Sequence, residues 1–291
     1  MSITLVSAFF DIGREKYNFL PRSKEKYIND FKRWARIQND LIFYCDNKVI
    51  GDTVMEIRKE FGREKNTQII VTDVFELEPK LFEQMQQIEK SEDFLKFRAL
   101  RETPENKANY NYIMLMKYWC TYHAASLIKD KDSQIAWFDF GFEHGGETFV
   151  DEAAYDFLWD YDFGGKITLF RLPYEEKRPI FKVIQTIHPD SLMGMTVIIP
   201  VKLAEEFYIC VKNAMQSICD VGFIDDDQLL LLMASRKMPP EKLQVIQSYW
   251  FHPIKDFGGD HFVLKPPPKK PNIFKRAVRK AKHILRKIKT R

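Results

Sequence analysis

The chain has 291 residues, 45% hydrophobic and 14% aromatic with 24 Phe, which excludes a disordered protein and supplies core for one large α/β domain or two small ones. No apolar run reaches the roughly 18–20 residues that cross a bilayer, and the opening Met-Ser-Ile-Thr-Leu-Val lacks the basic start of a secretory leader, so a cytosolic protein is expected. Charge is divided unevenly. Residues 265–291 hold 12 Lys and Arg and no acid, which leaves the body with 33 basic against 41 acidic residues, a net of −8. Cys45, Cys120, Cys210 and Cys219 form no Cys-x-x-Cys pair and sit among apolar neighbours, as reduced buried thiols do.

Residues 3–10 read as a buried first strand, and 23–37 as a helix capped by Ser23. Leu41–Cys45 reads as a second strand ending at Asp46, followed by a helix over about 52–61. Residues 68–71 read as a third strand ending near Asp73, and helical patterns cover roughly 79–100 and 106–128. The run Ile135-Ala-Trp-Phe-Asp139-Phe-Gly141 then reads as a buried central strand with one carboxylate at its end. Beyond Gly145-Gly146, residues 151–160 look helical, 166–170 and 195–199 extended, 201–220 and 225–236 helical, and 244–250 extended. This alternation predicts a mostly parallel, Rossmann-like sheet with helices on both faces.

Pro266-Pro267-Pro268 interrupts any regular element, which suggests one domain over 1–262 and a tail over 263–291. From Ile273 the tail is helical in pattern. At about 100° per residue its apolar residues fall within about 140° of arc, and Lys and Arg fill the rest, as in a helix lying in an anionic membrane interface. A helix packed on the acidic body, a nucleic-acid arm and a helix docked in a partner's groove are the alternatives. Nucleic acid is set aside because the tail offers few rings for stacking and the body is acidic.

Asp139 ends an apolar strand, where open α/β sheets bind ligands, and burying its charge calls for a metal or ligand hydroxyls. Otherwise it caps the next turn. Asp-Phe-Gly also occurs in kinases, but no glycine-rich loop follows the first strand and no His-Arg-Asp precedes this one. Asp225-Asp226-Asp227 opens an apolar helix. Capping explains acids there, but three in a row also suit a general base. His252 and His261, in a segment rich in Gly and Asp, are metal ligands or structural. Arg14, after the Asp11-Ile-Gly13 turn, is a phosphate grip or a surface residue, and Lys117 is a phosphate contact or part of a solvated helical face. His123 and His188 show no partner spacing and read as structural.

Thr4-Leu-Val-Ser-Ala-Phe-Phe-Asp-Ile-Gly-Arg14, Trp137-Phe-Asp-Phe-Gly141 and Asp226-Asp227-Gln228 together resemble the HtrL/YibB family of bacterial proteins, over about residues 1–260. That family is associated with lipopolysaccharide and capsule loci and is similar to GT-A glycosyltransferases. The resemblance implies a GT-A-like α/β fold with a C-terminal basic amphipathic helix. It also implies transfer of a galactose- or glucose-type sugar from a UDP-sugar to a surface glycan acceptor, with Mn2+ or Mg2+ as cofactor. Asp139 matches the first Asp of the metal-binding Asp-x-Asp, whereas Gly141 stands at the second, so Glu143, His144 or His261 would complete the metal set. Phe9, Arg14, Asp46, Asp73 and Lys117 would line the donor site, Lys117 matching a donor-contacting Lys of glycogenin-like enzymes. Asp226 and Asp227 would be catalytic. A lipid-linked acceptor would suit a cytoplasmic enzyme peripheral on the inner face of the membrane, docked by residues 273–291. The competing reading is a non-catalytic, membrane-recruited scaffold with a degenerate nucleotide-sugar fold.

Overall fold

The computed structural model describes residues 2–98, 103–185 and 191–266. Their seven strands are β1 (Ile3–Phe9), β2 (Leu41–Cys45), β3 (Thr67–Val71), β4 (Gln134–Phe138), β5 (Ile167–Arg171), β6 (Leu192–Pro200) and β7 (Leu243–Gln247). They form one sheet in the order β3-β2-β1-β4-β6-β5-β7. Every pairing is parallel except those of β6, which runs antiparallel to both β4 and β5. This is the mostly parallel, helix-flanked α/β sheet that the alternating pattern predicts.

Alternate residues feed two cores. Val6, Ile135 and Trp137 point into one, beneath the helices that follow β3 and β6. Leu5, Phe43 and Phe138 point into the other, which is dominated by aromatic rings. Strands covered on both faces need apolar residues at successive positions, hence the unbroken apolar runs.

The helices are α1 (Lys24–Trp34), α2 (Lys48–Glu60), α3 (Pro79–Glu89), α4 (Glu92–Phe97), α5 (Ala108–Leu127), α6 (Ile180–Val183), α7 (Ala204–Cys219), α8 (Asp227–Lys237) and α9 (Pro253–Asp256). Ser23 caps α1 by accepting from the Lys26 amide at 3.2 Å, as expected. Helix α2 starts earlier than its apolar pattern suggests, because Asn47 accepts from the Ile50 amide and caps it. The single helix expected over 79–100 is two. Ser91 caps the second by accepting from the Phe94 amide, and residues 99 and 100 lie outside the described set. The helix expected over 151–160 shrinks to one 3-10 turn, Glu152–Tyr155. Its neighbours bond elsewhere: the Phe157 carbonyl accepts from the Gln38 amide, and the Trp159 amide donates to Asn39 Oδ1. Tyr155 and Trp159 are thus buried by a loop wound on the aromatic core.

No helix among the described residues is long and apolar enough to cross a membrane. The chain stays tied to the body as far as Lys265, whose amide donates to the Thr148 carbonyl, and Phe149 bridges to Leu264. The basic helix expected over 273–291 lies outside the described residues, as does His188.

One buried cation joins the first layers. Arg58 on α2 is fully buried, and its guanidinium donates to the carbonyls of Ala35 and Ile37 (2.7 and 2.5 Å), to that of Asn39 (2.9 Å) and to Thr67 Oγ1 (2.9 Å). Burial lowers its pKa to about 10. Replacing it strands three carbonyls, each costing about 1–3 kcal/mol when left unpaired. Arg58→Leu should therefore lower unfolding free energy by about 3 kcal/mol or more, read as a lower urea midpoint at unchanged m-value.

Candidate functional site

Strand order reverses between β1 and β4, and ligand crevices of open α/β sheets form outside the carboxyl ends of strands at such a point. A cleft of about 280 Å³ opens there, bounded by the residues after β1, by Asp139–Gly141 after β4, by Lys117 of α5 and by Asp226 and Asp227 at the start of α8.

One wall is acidic around a single buried cation. Lys117 Nζ lies 2.9 Å from Asp139 Oδ1 and 2.6 Å from Asp227 Oδ2, and donates to the Gly194 carbonyl at 3.3 Å. An ammonium has three N–H groups, and these three acceptors use them. Burial works to lower the Lys117 pKa, but Asp139 and Asp227 outweigh it and the ammonium is held charged. Asp139 also accepts from Trp137 Nε1 at 2.8 Å.

The acids opening α8 divide their tasks. Asp225 is gripped by the Arg98 guanidinium through both oxygens, at 3.0 and 3.2 Å. Asp227 has Lys117. Between them Asp226 accepts from the Gln228 amide, caps the helix and lines the cleft. Its carboxyl is pushed well above the usual carboxylate range by burial and then by Asp225 and Asp227. Burial, with Asp226 and Asp227 nearby, likewise raises Tyr110 on the cleft wall.

The opposite wall is cationic. Arg14 is only 8% exposed. Its guanidinium lies over the rings of Tyr17 and Tyr110, 5.2 and 4.8 Å from their centroids. Nη2 donates to the Leu20 carbonyl at 3.1 Å, while buried Nε has no hydrogen-bond partner among the described residues. Arg22 stands beside it, its Nη2 3.4 Å from His144 Nε2. Burial and Arg22 lower the His144 pKa to about 4, so this imidazole is neutral near pH 7.

Of the expected site residues, the cleft therefore gathers Phe9, Arg14, Lys117, Asp139, Asp226 and Asp227. Phe9 is wall rather than contact, packed between Tyr27 and Phe140. Asp46 is set back and braces the rim by accepting from the Asp11 amide at 2.8 Å. Asp73 caps a 3-10 turn, accepting from the Phe75 amide. His261 sits outside the cleft, bonded to the Ala154 carbonyl and packed on Phe157 and Phe262. His252 also lies off the lining, and His123 bonds the Tyr44 hydroxyl at 2.8 Å.

Glu143 does not serve the cleft. Its carboxylate accepts from the Thr148 and Phe149 amides and the Tyr155 hydroxyl. It anchors a turn in which Glu143 and His144 both take left-handed backbone, at φ 63° and 48°. Sequence reading missed Arg22 and Tyr110, which carry no local signature; of the segment singled out over 250–261, Trp250 and Phe251 rather than the two histidines line the cleft. It also missed Gly194, whose signal was available: a glycine inside a strand pattern marks a bulge or a close approach. The β5–β6 register does shift there.

The residues do not fit a divalent metal. Among the described residues no three His, Cys, Asp or Glu side chains gather as a metal set. A Cβ at Gly141 would meet the Tyr27 ring at 3.0 Å, which leaves little room for a second aspartate.

A family model described as a bacterial protein of unknown function, HtrL_YibB, matches residues 1–258. No curated protein matches the chain. Among solved structures it is similar to the galactosyltransferase LgtC in complex with donor and acceptor sugar analogs, at 13% identity over 84% of this chain and 73% of that one, with a TM-score of 0.42. It is also similar to mannose-6-phosphate isomerase from Helicobacter pylori, at 11% identity over 85% and 97%, with a TM-score of 0.37. At these values neither likeness carries an argument about the reaction.

A Cβ at Gly194 would overlap the Asp227 carboxylate. Gly194→Ala should therefore cost about 2 kcal/mol, in the range for overpacking a tight site. In an Asp227→Ala background the same change should cost less than half as much. Equal costs in a double-mutant cycle by chemical denaturation would place the strain elsewhere.

Proposed function

The chain belongs to the HtrL_YibB family, and we propose that it is a GT-A-like glycosyltransferase that moves a sugar from a nucleotide donor, UDP-linked and of galactose or glucose type, to a hydroxyl of a surface glycan. The observation that carries this reading is Asp226, a buried acid that opens α8 and lines a cleft at the strand ends, beside Asp139 and Asp227. The opposing walls suit a donor that is anionic at one end and polyhydroxylated at the other. Arg14 and Arg22 meet the diphosphate. Asp139 and Asp227 accept sugar hydroxyls and favour the positive charge of an oxocarbenium-like transition state.

In an inverting transfer the bond from the anomeric carbon to the diphosphate oxygen breaks, and its electron pair leaves with the nucleotide. The acceptor oxygen bonds to that carbon and its proton passes to Asp226. A base with a raised pKa is well matched to that step.

The test is isothermal titration with UDP, followed by UDP release from UDP-galactose, UDP-glucose, their N-acetyl forms and UDP-galactofuranose. A wild-type protein that binds no UDP would sink this reading. Asp226→Asn should lower release about 100-fold or more. Because folding raises this carboxyl's pKa, the protonated form is the one the fold favours: the stability it contributes is present at low pH and lost as pH rises through the raised value. Asp226→Asn should therefore unfold no more easily than wild type at pH 7. Over the same rise the wild type gains its base, so its activity should climb at a pH above that of an ordinary carboxylate, and the variant should lose that limb.

An acceptor on a lipid carrier gives the basic tail a purpose: docking at the anionic inner face of the membrane through residues 273–291, each Lys or Arg adding about 1 kcal/mol. Full-length protein should float with anionic liposomes, and a chain ending at Pro266 should not. Equal flotation of both would remove the tail from membrane binding.

A further inference from the structure

We propose that this cleft holds its nucleotide diphosphate without a divalent metal ion, Lys117 standing where the cation would sit and Arg14 with Arg22 gripping the phosphates. The inference rests on the glycosyltransferase reading above and concerns how that site holds its donor. A metal-dependent site would need Asp139 and further donors converging on one ion. Here the space between Asp139 and Asp227 is taken by an ammonium 2.9 and 2.6 Å from their oxygens. Gly141 abuts the Tyr27 ring, Glu143 is committed to the Thr148 and Phe149 amides, and His261 is bonded outside the cleft. An ion entering between the two carboxylates would have to displace a buried lysine that contacts both of them.

The same geometry removes Lys117 from phosphate binding. Its N–H groups meet Asp139, Asp227 and the Gly194 carbonyl, and two carboxylates cancel its charge. The cations that remain for an anion are on the other wall. Arg14 is held in place by Tyr17 and Tyr110, makes one carbonyl bond through Nη2, and keeps a buried Nε without a partner among the described residues. Arg22 lines the same wall, its Nη2 3.4 Å from His144 Nε2. A guanidinium offers a planar fork of donors to phosphate oxygens. As the donor bond breaks, these two cations meet the charge developing on the leaving diphosphate, the task a metal performs elsewhere.

The experiment titrates the full chain with UDP in EDTA and again with millimolar manganese chloride, for wild type and for Arg14→Gln. The expected wild-type affinities agree within about twofold, and Arg14→Gln weakens both about 10- to 100-fold, the loss of a charge-assisted hydrogen bond. UDP release from the best donor should likewise survive EDTA. Binding that requires manganese would overturn the inference and leave the glycosyltransferase reading standing. Binding in EDTA that Arg14→Gln does not weaken would overturn the phosphate grip. No UDP binding under either condition would overturn both readings.

Discussion

The architecture of the cleft hangs on one buried ammonium. Lys117 projects from α5 and gathers the end of β4 through Asp139, the irregular stretch of β6 through the Gly194 carbonyl, and the start of α8 through Asp227. Each carboxylate would be costly to bury alone, and the lysine costlier still, so they persist only together. Buried ionic groups of this kind are weak evidence for stability, but this trio specifies a geometry. Two carboxylates share one cation, and beside them burial, then the charges of Asp225 and Asp227, make Asp226 hold its proton more tightly.

The second support is the aromatic core on the other face of the sheet. Phe138 stacks on Phe142 at 3.9 Å, Phe140 stacks on Phe31 at 5.0 Å, and Trp34 Nε1 donates to the Phe140 carbonyl. These contacts fix the chain as it leaves β4, so that Asp139 turns toward Lys117 while its neighbours anchor in the core. The left-handed pair Glu143–His144 follows at once. Backbone of this kind is costly for residues with a Cβ and persists only where its surroundings over-determine it. Glu143 supplies that constraint by taking two amides and a tyrosine hydroxyl, and His144 is left at the cleft wall as a neutral ring.

What could be read along the chain was governed by short-range periodicity. The strands appeared because two covered faces demand unbroken apolar runs, and the first helix because Ser23 announced its start. Asp139, Asp226 and Arg14 were recognisable because each interrupts or ends such a pattern with a charge. Errors arose where tertiary partners replaced local ones. Residues 151–160 looked helical, but their backbone bonds to the segment before β2. Glu143 and His261 looked like ligands, yet Glu143 is satisfied by the turn that follows it, through the Thr148 and Phe149 amides and the Tyr155 hydroxyl, and His261 by the Ala154 carbonyl across 107 residues.

The sequence by itself determined an α/β sheet with an acid at the end of a central strand, an acidic body and a basic amphipathic tail, because these are properties of neighbours in the chain. Only the tertiary structure decided which charge answers which. Lys117 meets Asp227 across 110 residues and Gly194 across 77, and Arg98 meets Asp225 across 127. No local pattern encodes those distances. They follow from how α5, β4, β6 and α8 pack on one sheet, and that packing gives three consecutive aspartates different surroundings: Arg98 on Asp225, Lys117 on Asp227, and the Gln228 amide and the cleft at Asp226.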